Sequence, residues 1–142
     1  MELHSLLVPV SEDVESERAM DVACRLAGRR GTTITLVHVI EIPPALPISA
    51  HVKAEEQRGH ALLERVAAIA DTYGVGVVQQ SIHARDAGAA IVACAARRNV
   101  ELIVIGAPRK RRKPFGSTVE YVLRKADCRV LMIGAAPERA AA

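Results

Sequence analysis

An α/β fold is what this sequence predicts: a single domain on an open parallel sheet of five strands, with helices on both faces. Three observations carry that expectation. Five short apolar runs alternate with four segments whose apolar residues recur at helical spacing, the pattern of strand–helix–strand crossovers. Several runs are continuously apolar rather than alternating, as strands covered on both faces are. And 142 residues at 50% hydrophobic content suit one domain with its own core.

Leu6-Leu7-Val8-Pro9-Val10 is the first such run. Ser11, Glu12 and Asp13 then supply candidate N-caps, with Glu15 in the first turn of a helix, where an acidic group suits the dipole. Ala19, Val22, Ala23 and Leu26 fall on one helical stripe, and Arg29, Arg30 and Gly31 close it, cations first and glycine last. Thr32 to Ile42 is rich in β-branched residues and reads as the second strand. Pro43, Pro44 and Pro47 exclude regular structure from the connection that follows. Lys53 to Tyr73 is the longest helical pattern, with Leu62, Val66, Ile69 and Tyr73 on one stripe and Gly74 at its end. Val75 to Ile82 is a third strand, weakened by Gln79, Gln80 and Ser81. Asp86 can cap a third helix through Ala96, with Ile91 and Cys94 facing inward. Leu102-Ile103-Val104-Ile105 is the clearest buried strand and ends at Gly106. Ser117 to Ala126 is the fourth helix, with Val119, Val122, Leu123 and Ala126 in register, and Val130 to Ile133 the last strand. The domain is expected over residues 1–136, with 137–142 as a frayed tail.

Composition narrows the function classes. Tyr73, Phe115 and Tyr121 are all the aromatics, and there is no Trp, so the core must be aliphatic and base stacking on this chain is scarcely available. Cys24, Cys94 and Cys128 are odd in number and widely spaced, which excludes a disulfide framework, a zinc knuckle and a redox dithiol. They read as small hydrophobes in a reducing cytoplasm. No signal-peptide pattern opens the chain, and no apolar stretch approaches the roughly 18 residues needed to span a bilayer. His4, His38, His51, His60 and His83 share no short metal-ligand spacing, and His38 in its strand reads as structural. No Ser–His–acid arrangement is visible, so no catalytic residue and no metal ligand is expected. Of 19 Lys and Arg against 16 Asp and Glu, five cations form the run Arg109–Lys113. Without that run the formal charge of +3 turns negative: a mildly acidic domain carries one basic loop.

In open parallel sheets, ligands bind beyond the carboxyl ends of the strands where strand order reverses. Three loops qualify: Pro9 to Asp13, Val39 to Pro44, and Gly106 to Thr118. In the last, a glycine leaves a buried strand, the basic run follows, and Gly116 delivers Ser117 and Thr118 onto a helix start. Free N–H groups and the positive dipole end suit an anion there, and Gly116 lacks the Cβ that would hold it off. Two plainer readings stand beside this one. Ser117 and Glu120 have capping-box spacing, and Gly106 and the basic run equally describe a turn and a solvated loop.

Leu6-Leu7-Val8-Pro9-Val10 with Ser16-Glu17-Arg18-Ala19, Val37-His38-Val39-Ile40, and Leu102 to Pro108 continuing through Gly116-Ser-Thr-Val-Glu-Tyr-Val-Leu to Cys128-Arg-Val-Leu-Met-Ile together resemble the universal stress protein family over essentially the whole chain. The resemblance implies its five-stranded fold, Rossmann-like and akin to the adenine-nucleotide alpha-hydrolases. It also implies adenine-nucleotide binding (ATP, AMP or cyclic AMP, with Mg2+ as an accompanying ion) at Pro9, Val10, Ser11, Val39, Gly106, Arg109, Gly116, Ser117, Thr118 and Val119. Two departures stand out. Ser11 occupies the position of the family's nucleoside-contacting aspartate, and Arg109 that of its second loop glycine, in a loop shorter than the pattern. A neutral hydroxyl accepts more weakly than a carboxylate, whereas guanidinium groups are good phosphate partners.

The function so implied is a cytoplasmic stress-response sensor or regulator, homodimeric through Val130 to Ile133. A dedicated enzyme is not expected, although a slow ATPase side activity is compatible with the site. The alternative is a dimeric interaction or regulatory module that binds no nucleotide, associated for example with a transporter. Its basic run would then face anionic headgroups. Specific nucleic-acid recognition and a membrane span are not expected.

Overall fold

The computed structural model describes residues 3–28, 31–108 and 116–134. Five strands are present: β1 (Ser5–Pro9), β2 (Thr33–Glu41), β3 (Gly76–Ala84), β4 (Leu102–Ala107) and β5 (Arg129–Gly134). The helices between them are α1 (Val14–Leu26), α2 (Lys53–Ala67), α3 (Ala87–Arg97) and α4 (Ser117–Lys125). All pairings are parallel, in the order β3-β2-β1-β4-β5. The sheet therefore grows outward from β1 in one direction and then, after β3, in the other. The reversal lies between β1 and β4.

The continuous apolar runs have the predicted cause. Alternate side chains of a strand point to opposite faces, and both faces here are packed. Leu6, Val8, Ile34, Leu36 and Val104 join Ala19, Met20, Ala23, Leu62, Leu63 and Val66 of α1 and α2 on one side. Leu7, Val37, Ile103 and Ile105 join Ile91, Cys94, Val119 and Val122 of α3 and α4 on the other. β3 and β5 are edge strands and only partly buried, and β3 accordingly tolerates Gln79, Gln80 and Ser81 in its middle.

Four sequence-based expectations change. α1 stops at Leu26, which is 45% exposed, and Met20 fills the core in its place. α2 ends at Ala67 and tightens into a 3-10 segment, Ala68–Thr72. Three residues per turn instead of 3.6 rotate the stripe, so Leu62 and Val66 are buried while Tyr73 stays exposed, its hydroxyl donating to Asp21. Leu123 is also outward, at 45% exposure. Gly106 does not end β4 but lies within it. The predicted closing cations Arg29 and Arg30, the basic run with Arg109, and the tail 137–142 lie outside the described residues.

Candidate functional site

The register between strands makes a gap at the carboxyl end of the sheet. β1 pairs with β4 only at Leu6↔Leu102 and Leu7↔Ile103, but with β2 as far as Pro9↔Val37. Past that point β1 turns away toward α1 while β2 continues to Glu41. The strand alternation then decides what β2 offers. The Val37 carbonyl accepts from Val10 N–H at 2.8 Å on the β1 side, and Ile42 N–H donates to Ala84 on the β3 side. Odd-numbered residues of this stretch thus aim both peptide groups toward β1. Val39 is the first of them with no β1 residue opposite, so its N–H and C=O face the gap.

The opposite wall comes from α1 and α4. α1 packs against β4 so closely that a Cβ on Gly106 would stand 2.5 Å from the Glu15 carbonyl carbon and oxygen. Gly106 is therefore a contact glycine between helix and strand, not a turn glycine. At α4 the N-cap is Gly116 (φ −64°, ψ 160°), and no side chain caps the helix. The capping-box expectation fails: Ser117 is the first helical residue, and Glu120 N–H bonds the Gly116 carbonyl at 3.1 Å. The first N–H groups of α4 have no intrahelical acceptor, and a Cβ on Gly116 would meet nothing within 4 Å. Among the described residues the approach to that helix end is open.

Together these walls enclose a cleft of about 780 Å³. Pro9, Val10, Ser11, Val39, Gly106, Gly116, Ser117, Thr118 and Val119 all line it, so one cavity gathers every predicted site residue except Arg109, which lies outside the described residues. The sequence reasoning missed others. His38 lines the cleft as a structural residue, its Nδ1 donating to the Val10 carbonyl at 3.0 Å. Its ring lies so near Gly59 of α2 that a Cβ there would meet it at 2.5 Å. Arg58 and Glu55 reach the same cavity from α2, and nothing local in the sequence signals this. Glu41, two residues past Val39 on the same side of β2, also lines it; the sequence pointed to the Val39 to Pro44 loop without singling it out.

The lip after β1 is internally satisfied. Asp13 is the N-cap of α1: its Oδ1 accepts from Ser16 N–H at 2.9 Å and Ser16 Oγ at 3.1 Å, and its Oδ2 from Ser11 Oγ at 2.6 Å. Its carboxylate serves the helix, and Ser11 keeps only an acceptor lone pair for a ligand. Among the described residues no cluster of His, Cys, Asp and Glu could hold a metal ion, and no helix is long and apolar enough to cross a membrane.

The family model of the universal stress protein family matches residues 2–134. A universal stress protein of Archaeoglobus fulgidus solved in complex with dAMP is 22% identical, with a TM-score of 0.75 over 94% of this chain and 99% of that one. A universal stress protein in complex with cAMP is 17% identical, with a TM-score of 0.76 over 94% and 98%. A family member of Arabidopsis thaliana with AMP bound is 19% identical, with a TM-score of 0.68 over 92% and 90%. No curated protein matches the chain in sequence.

Proposed function

The chain belongs to the universal stress protein family, and from that premise we propose that its cleft binds an adenine nucleotide, as a cytoplasmic stress-response sensor or regulator. One juxtaposition carries the reading. The outward-facing Val39 peptide and the uncapped N-terminus of α4 at Gly116 line the same cavity. A peptide N–H and C=O side by side match the acceptor and amine on adenine's pairing edge, and a bare helix start matches phosphate. The three solved relatives hold dAMP, cAMP and AMP, which share that base and differ in sugar and phosphate.

Val10 and Pro9 supply apolar contact to the nucleoside, Gly106 leaves room beside α1, and Ser117, Thr118 and Val119 turn their N–H groups to phosphate. Mg2+ enters with the phosphates of a triphosphate rather than on a protein cage, since the nearby carboxylate of Asp13 is already used by its cap. The reading requires no chemical step by the protein. Calorimetric titration with ATP, AMP and cyclic AMP tests it, and no heat with any of them would sink it.

Partnering with a second copy rests on the β5 edge. That strand is unpaired on its outer side among the described residues, Leu131 is 37% exposed, and Val130, Met132 and Ile133 are half-buried. Exposed apolar edges favour strand pairing. A second reading, a dimeric interaction module without nucleotide, draws on Ser11 and the self-satisfied Asp13. The same titration separates the two, because only the module dimerises while staying silent to every nucleotide.

A further inference from the structure

Glu41 is an exposed carboxylate on the wall of the cleft, tied by one hydrogen bond to the start of α3. Its main chain is the last step of the β2–β3 register, Glu41↔Ala84. The residues just after it are fixed as well, because Ile42 N–H bonds the Ala84 carbonyl at 2.8 Å. In addition, Arg85 Nη1 donates to the Ile42 and Pro43 carbonyls at 3.2 and 2.5 Å. The side chain is held too: Oε1 accepts from Ala87 N–H, at the start of α3, at 3.3 Å. Its other oxygen, Oε2, has no partner among the described residues, and both Glu41 and Ala87 line the cleft. A carboxylate oriented through one oxygen keeps the other available as an acceptor.

Its place in the sheet says what it would accept from. β1 separates β2 from β4, so Val39 and Gly106 stand about two strand spacings apart, about 10 Å. A nucleotide with phosphate at α4 thus points its base at β2, where Glu41 stands two residues past Val39 and beside the start of α3. We propose that Glu41 is the base-selecting residue of the cleft, accepting a hydrogen bond from the 6-amino group of adenine and disfavouring a 6-oxo purine. The proposal rests on the nucleotide reading above. The Val39 carbonyl takes one amine proton and the Glu41 carboxylate the other. A 6-oxo purine would set its oxygen against both acceptors.

Calorimetry with AMP, IMP and GMP on the full chain and on Glu41→Gln tests this. Glutamine keeps an oxygen for Ala87 N–H and can donate to a 6-oxo group. The expected result is AMP at least tenfold tighter than IMP in the parent, with that ratio falling at least fivefold in Glu41→Gln and urea midpoints unchanged. A purely structural role at α3 would move the midpoint and leave the ratio alone. An unchanged ratio with AMP still bound overturns the proposal while leaving the nucleotide reading intact. GMP tighter than AMP, with the preference lost in Glu41→Gln, overturns the adenine assignment. Silence with all three nucleotides removes the binding reading, and this proposal with it.

Discussion

Gly106 and Gly116 bracket the same loop, and the sequence treats them alike, yet their surroundings are opposite. At Gly106 the atoms a Cβ would strike are backbone of Glu15 at 2.5 Å, which cannot swing aside. Gly106→Ala should therefore destabilise the fold by about 1–3 kcal/mol, the range for overpacking, read as a lower urea midpoint. At Gly116 there is, among the described residues, open space and no side-chain cap. Gly116→Asp should stabilise α4 by a few tenths of a kcal/mol, because the new carboxylate can cap the free N–H groups. The same carboxylate should cut AMP affinity at least tenfold by occupying the anion's place, and affinity kept intact would put the phosphate elsewhere. Cys24, on the fully buried face of α1, makes a prediction of a different kind. Burial, seconded by the Asp21 carboxylate, pushes its thiol up from 9.0 to about 11. The folded protein then holds that proton after the unfolded chain has lost it, so this contribution is intact below pH 9 and disappears as pH rises toward 11. Denaturation midpoints over that interval should fall more steeply for the parent than for Cys24→Ala.

At the scale of elements, strand positions and the α3 cap were legible, and helix ends less so. Asp86 caps α3 as its position suggests, accepting from Ala89 N–H at 3.0 Å, because an Asp before an apolar helical stripe leaves little choice. At α1 three polar residues competed, and only packing selects Asp13, by placing Ser11 and Ser16 on either side of it. Asp13→Ala should cost about 1–2 kcal/mol and free the Ser11 hydroxyl. A chemical-denaturation curve with no shift would mean the cap is not holding the helix. The 3-10 ending of α2 was beyond reach from periodicity. A 3.6-residue stripe through Leu62, Val66, Ile69 and Tyr73 looks sound on paper, but a change of helical pitch is a response to what the last turn packs on. Leu26 and Leu123 mislead for a related reason: an apolar residue at the rim of a stripe is exposed wherever the neighbouring element falls short of it.

For the whole molecule, two measurements test the assembled reading. With no Trp and two Tyr, the chain absorbs weakly near 280 nm, so carried-over adenine nucleotide should appear in the purified protein as a strong band near 260 nm. The band should leave with the small-molecule fraction after unfolding. Leu131→Asp, a charge on the exposed face of β5, should shift sedimentation from dimer to monomer, and an unmoved boundary would place the interface elsewhere. The alternation of apolar runs and helical stripes was enough by itself to determine the fold class, the strand count and the three loops worth watching, because burial on both faces of a parallel sheet leaves a local imprint in composition. The resemblance in its motifs pointed to the family. Only the tertiary structure decided that Glu41, Glu55 and Arg58 share the cleft, that Asp13 is spent on a helix, and that Gly106 and Gly116 do different work. Those facts depend on which element lies against which, and on where one strand stops while its neighbour goes on, and neither is written in any short stretch of chain.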